Sequence, residues 1–197
     1  KEDRSDEGSG PVSGLRTQRR VSEIMMRMRR APQPVISLIN GPASGGGFGL
    51  ALASDIRIAC PSARMNAAFI RIGLSACDVG VSYFLPRLIG ASAASELLLT
   101  GNFIDGERAY ALGLVSSLVA PEALKATGRQ MAEDILRNSP IGVRLTKECL
   151  AMSIDAPSLE SVVAMEDRQQ ILIAATGDMR EGVTAFMEKR PPRYQDR

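Results

Sequence analysis

The sequence predicts an α/β fold whose chain ends in a helical subdomain. Strand-like and helix-like patterns alternate between about residues 15 and 120, as expected of an α/β core. Within that stretch, an apolar run, a glycine-rich turn and a second apolar run follow one another over residues 35–53. After Pro121 the pattern changes, and only helical periodicity remains to the end. With 197 residues, the chain suffices for one ordinary domain with an appendage. The expected organisation is a lead-in over 1–14, a core over 15–120 and a helical part over 121–197.

Residues 1–14 are polar and contain Gly8, Gly10, Pro11 and Gly14, so no regular structure is expected there. Residues 15–30 read as a helix, because Val21, Ile24, Met25 and Met28 share one face. Its arginines, Arg16, Arg19, Arg20, Arg27 and Arg30, fall mostly elsewhere, and Ala31-Pro32-Gln33-Pro34 ends it. Val35–Ile39 is a strand, Asn40–Gly49 a glycine turn, and the run from Leu50 to about Ser54 a short helix. Asp55–Ala59 alternates as a strand, Pro61-Ser62-Ala63 turns, and Arg64–Asn66 is a further short strand. Residues 67–80 are irregular; Tyr83–Ile89 and Ala93–Leu99 are helical, separated by Gly90. Asp105–Gly113 has the form of a short helix capped by aspartate and closed by glycine. Leu114–Val119 is a strand, and helices follow over about 121–137, 140–153, 158–175 and 178–188.

Composition narrows the chemistry. A balance of 24 basic and 22 acidic residues argues against bulk electrostatic binding to nucleic acid or membrane. No run is apolar and long enough to cross a bilayer, and the charged start Lys1–Glu7 has no signal-peptide character. Cys60, Cys77 and Cys149 are widely spaced and show no disulfide or metal pattern, which fits a reducing compartment such as the cytoplasm. The sequence has no histidine, which removes Ser-His-Asp and Cys-His catalysis and His-based metal sites. Acid–base work falls to Asp, Glu, Tyr, Cys or water.

A strand–glycine–helix turn aims backbone N–H groups at whatever lies above it, a phosphate or an oxyanion. The spacing of Gly45, Gly47 and Gly49 fits no dinucleotide fingerprint, since Leu50 and Leu52 stand where a third glycine is needed. No Gly-Lys-Ser/Thr follows, so it is no P-loop, and Ser44 lies outside a nucleophile elbow. The bland alternative is that the glycines only permit close strand–helix packing.

The stretch Asn40–Ala59 resembles the signature of the enoyl-CoA hydratase/isomerase (crotonase) superfamily. Pro86–Gly90, Leu98–Asp105 with Ala109–Val115, and Ala185–Pro192 resemble three further motifs of that family, in the same order. The resemblance covers about residues 14–197. It implies a spiral of ββα units with a C-terminal helical trimerisation subdomain, assembled as a homotrimer or hexamer. It implies an acyl-CoA thioester as substrate, with coenzyme A as part of that substrate and no separate cofactor. The middle glycine of the triplet, Gly46, is then the donor of one oxyanion-hole N–H, with Gly45 beside it at the substrate. The family's second donor comes from an earlier segment of “AG.DL” type, which does not occur in this sequence. By the same comparison, about the first third of the family's chain is not in it.

Two departures bear on the reaction. Hydratases of the family place one glutamate at the position of Gly49 and another at that of Phe69. Ordinary two-glutamate hydration is therefore not expected, and isomerisation or an atypical hydration is. Some branches carry a catalytic aspartate near Asp78, which makes Asp78 the acid/base candidate; the alternative is that it caps a helix starting near Val79. Cys77, in the neighbouring column, is a weaker candidate that either lines the substrate or is simply packed. Phe69 is expected at the substrate as well. By motif, Phe186 and Lys189 approach a neighbouring subunit's CoA, or else Lys189 is solvated at a helix end. Two other functions stay open: a non-catalytic acyl-CoA-binding scaffold, and RNA binding through the arginines of 15–30, where aromatic stacking residues are lacking.

Overall fold

The computed structural model describes residues 10–196, which divide into two compact units. One runs through Arg29 and resumes from Ser37 to Leu124; the other comprises Arg30–Ile36 and the chain from Lys125 onward.

The first unit opens with α1 (Pro11–Arg30). The helix starts four residues ahead of the expected point, because proline is tolerated at the first helical position and Gly14 N–H already donates to the Gly10 carbonyl (3.0 Å). Residues 11–14 of the expected lead-in are thus helical; residues 1–9 lie outside the described residues. Met25 is buried and Met28 packs on the core, whereas Val21 and Ile24, the rest of the expected apolar face, are exposed.

Two small sheets follow. The first joins β1 (Ile36–Ile39), β3 (Ile56–Ala59) and β6 (Ser117–Leu118) in the order β1-β3-β6. The second joins β2 (Pro42–Ser44), β4 (Arg64–Asn66) and β5 (Ile104–Asp105), with β4 between its neighbours. β2 lies inside what reads in the sequence as a bare glycine turn. It is an edge strand, which tolerates Pro42, and it runs parallel to β4 with Ala43 opposite Met65. The expected 114–119 strand shrinks to the two residues of β6, while Leu114 and Val115 are buried in the core.

α2 (Gly46–Ala53), apolar on all sides, buries Phe48, Gly49, Ala51, Leu52 and Ala53 and leaves Leu50 exposed. α3 (Val81–Ile89) and α4 (Ala91–Thr100) pack on one another, joined at Gly90, whose φ of 81° suits glycine. α5 (Gly106–Ala111) has the expected cap: the Asp105 carboxylate accepts from Arg108 N–H at 2.8 Å.

The second unit is built from α6 (Leu124–Leu136), α7 (Pro140–Ser153), α8 (Leu159–Ala174) and α9 (Gly177–Met187), all close to their expected bounds. Ser139, Ser158 and Thr176 cap the last three through side-chain oxygens. Lys147, buried on α7, donates to the Gln33 carbonyl at 2.8 Å. Among the described residues, no helix is long and apolar enough to cross a membrane, and no group of three His, Cys, Asp or Glu could hold a metal ion.

Candidate functional site

The site is built around the two ends of α2. β2 delivers the chain to Gly45, whose N–H donates to the Asn66 carbonyl of β4 (3.0 Å). Gly45 then turns with φ 55° and ψ −118°, a conformation open to glycine, and a Cβ there would press on the Phe69 ring at 3.3 Å. The helix starts at Gly46, and its first intrahelical bond runs from Gly49 N–H to the Gly45 carbonyl (3.0 Å). The Gly46 and Gly47 N–H groups precede that ladder, and no side chain caps them. A Cβ on Gly46 would meet nothing within 4 Å.

At the other end of α2 the Arg57 guanidinium is buried against backbone carbonyls. Nε donates to Leu114 (2.7 Å), and Nη1 to Ser54 (2.6 Å), Leu52 (3.4 Å) and Ala51 (3.5 Å). Burial lowers its pKa, nearby Arg29 adds to that, and Asp55 opposes both. Arginine stays charged through such a shift, so a cation sits on the C-terminal carbonyls of an eight-residue helix. That arrangement suits an anion at the Gly46 end.

The flanks of the turn are hydrocarbon. A Cβ on Gly49 would lie 2.5 Å from Val79 Cγ2 and 3.2 Å from Met25 Cε. The notch left by glycine is therefore filled by Val79, and no carboxylate could stand there without displacing it. Phe69, in a 3₁₀ turn (Ala68–Ile72) that the sequence does not announce, lays its ring against Gly45.

Asp78 sits next to this packing. Its Oδ1 accepts from Val79 N–H (2.7 Å) and from the Gln18 amide, and its Oδ2 has no hydrogen-bond partner among the described residues. The alternative of Asp78 as a helix cap is corrected. α3 begins at Val81, its cap is Gly80 at φ 85°, and Val79 itself has φ 43°. Two consecutive left-handed residues keep the chain non-helical until Val81. A β-branched residue at positive φ costs about 1–3 kcal/mol, so the surroundings must hold Val79 there. Cys77 is exposed, with its N–H donating to Ser75 Oγ (3.0 Å).

Phe186 and Lys189 lie at the end of α9. Phe186 is 82% exposed, and Lys189, at φ 53°, closes the helix with bonds from its own N–H to the Phe186 carbonyl (3.2 Å) and from Arg190 N–H to Ala185 (3.0 Å). On α1, Arg27 pairs with Glu23 (3.2 Å) and Arg29 with Asp55 (3.0 Å).

The structure thus gathers Gly45, Gly46, Gly49 and Phe69 around one helix end, with Val79 linking Asp78 to α2. Val79, Gln18 and Arg57 escape the sequence reading. Arg57 left a signal: a charge between two isoleucines on a strand. Gln18 and Val79 left none, because their contacts join distant segments.

The profile of the enoyl-CoA hydratase/isomerase family matches residues 9–197. A probable enoyl-CoA hydratase of Mycobacterium tuberculosis is 41% identical over 187 residues, 94% of this chain and 66% of that protein. A 1,2-epoxyphenylacetyl-CoA isomerase of Escherichia coli is 35% identical, over 95% of this chain and 71% of that protein. The crystal structure of a probable enoyl-CoA hydratase/isomerase from Mycobacterium abscessus superposes with a TM-score of 0.91 at 41% identity, over 96% of this chain and 73% of its own. The chain spans about two thirds of the length of the first of these relatives.

Proposed function

We propose, from the premise that this chain belongs to the enoyl-CoA hydratase/isomerase family, that it acts on an acyl-CoA thioester, with the Gly46 N–H stabilising an enolate oxygen and Asp78 moving the proton. The reaction is double-bond isomerisation or an atypical hydration. In the isomerisation, the Asp78 carboxylate takes a proton from carbon next to the thioester conjugation. The electron pair delocalises onto the thioester oxygen at Gly46. The Asp78 carboxylic acid, whose proton exchanges with water, then protonates a different carbon, so no atom is gained or lost. A single oxyanion donor of this kind is worth about 3–4 kcal/mol of transition-state stabilisation.

One observation carries the preference over two-glutamate hydration. Both positions where that chemistry needs a carboxylate are occupied by hydrocarbon packing, Val79 in the Gly49 notch and the Phe69 ring on Gly45. Gly46 and Gly49 are three residues apart and so lie on one side of α2, which favours Asp78 as the carboxylate serving the donor. The two named relatives, a hydratase and an isomerase, bracket the reaction class. The exposed Phe186 ring and Lys189 ammonium would meet the CoA of a neighbouring subunit in a trimer or hexamer.

The same hydrocarbon flanks favour one other reading, a scaffold that binds acyl-CoA without turnover. A panel of enoyl- and dienoyl-CoA esters separates the two. Turnover that collapses in Asp78→Asn is the expected result. Tight binding with no product from any ester would leave the scaffold.

A further inference from the structure

We infer that Val79, seated in the notch that Gly49 leaves on α2, and Gln18 of α1 are the positioning residues for the Asp78 carboxylate. The inference rests on the role given to Asp78 above. Gly49 then has a use of its own: its missing side chain is what allows a different carboxylate to be held.

The loop Ala76–Val81 is tied at every residue that matters to Asp78. Asp78 N–H donates to the Ala76 carbonyl (3.2 Å), and Val81 N–H donates to the Asp78 carbonyl (2.8 Å). Between them Val79 N–H reaches back to Asp78 Oδ1 (2.7 Å), and the left-handed turn at Val79 (φ 43°) carries the chain round to that Val81 bond. An isolated valine leaves that conformation. Here its side chain is 5% exposed and wedged against Gly49 and Met25, so the packing holds the backbone where the carboxylate is oriented. Gln18 supplies the second donor to the same oxygen, from a separate helix. Both donors are neutral, so they fix Oδ1 without pairing the charge, and Oδ2 is left for the substrate.

The notch can be closed and reopened by mutation. A methyl added by Gly49→Ala would collide with Val79 Cγ2 at 2.5 Å, but it would meet Val79 Cβ at 3.4 Å, an ordinary contact. Val79→Ala therefore removes that collision and keeps a contact, leaving the flexible end of Met25 (3.2 Å) to give by a few tenths of an ångström. In the intact protein, on whichever thioester the wild type turns over, Gly49→Ala should lower kcat by about tenfold or more with KM little changed. Adding Val79→Ala to it should restore most of that loss. Gln18→Leu, which removes the donor and keeps an apolar stem on α1, should lower kcat in the same way, and Gln18→Asn, whose amide has a shorter reach, should not restore it.

Thermal unfolding of each variant separates misfolding from misplacement, and the double variant and Gln18→Leu carry the test if Gly49→Ala does not fold. Normal kcat in folded Gly49→Ala and Gln18→Leu, beside an inactive Asp78→Asn, overturns the positioning role and leaves Asp78 standing. Undiminished turnover in Asp78→Asn, or a wild type inert toward every ester, overturns both.

Discussion

In the helical unit, Asp178 and Glu181 on α9 are engaged on both carboxylate oxygens. Buried Asp178 accepts Gln195 N–H on Oδ1 (2.7 Å), and Asp196 N–H (3.1 Å) and the Ser139 hydroxyl (3.3 Å) on Oδ2. Glu181 takes the Arg190 fork at 2.7 and 3.0 Å and Arg193 N–H at 2.7 Å. In the α/β unit, Asp78 is held through Oδ1 alone among the described residues, next to the positive-φ turn at Val79. A saturated carboxylate is a fastening, here of the C-terminal tail to α9. A half-held one leaves an oxygen open to a further partner, which is what the role proposed for Asp78 requires.

The largest effect should come from the half-held group. Asp78→Asn keeps the shape and removes the base, and turnover should fall by about 10²–10⁴-fold while thioester binding persists. An effect this size at Asp178 instead would reverse the comparison.

Next is the donor. Gly46→Pro deletes one N–H at the first helical position, where proline is tolerated and where a Cβ has open space. Steady-state kinetics should show a loss of about 10²–10³-fold in kcat, with Gly46→Ala, which keeps the N–H, losing far less.

Arg57→Met tests the far end of α2. Chemical denaturation should show the protein destabilised by about 3 kcal/mol, because buried carbonyls lose a charged partner. Arg57→Lys should not recover this, since a point ammonium cannot span the same carbonyls.

The smallest effect is in the helical unit. Hydrogen bonds from Arg190, then from Arg193 N–H, lower the Glu181 pKa from 4.5 to about 2. Between those values the unfolded chain binds more protons, so stability rises with pH there. The contribution is complete above about pH 4.5 and is lost as pH falls toward 2. In Glu181→Gln, unfolding midpoints should show less of this acid sensitivity.

The same contrast explains what the sequence discloses. Capping residues act within a few positions of themselves, so Asp105, Ser139, Ser158 and Thr176 mark their helices plainly. The glycine turn is equally local, and its residues point to Gly46 by themselves. β2 is hidden because its pairing with β4 is tertiary and its own residues, Pro42-Ala43-Ser44, have no strand propensity to speak of. The turn at Asp78 misleads because aspartate before a helix is a common cap, and nothing local says that Val79 adopts φ 43°. Gly49 shows in sequence as a missing glutamate; only packing reveals Val79 in its place.

The most direct measurement is solvent exchange: NMR of an acyl-CoA ester in D₂O with the intact protein, wild type beside Asp78→Asn. The account predicts that the wild type washes deuterium into the carbon next to the thioester. It predicts that Asp78→Asn binds the ester and washes in none. Exchange at the wild-type rate in Asp78→Asn would contradict it.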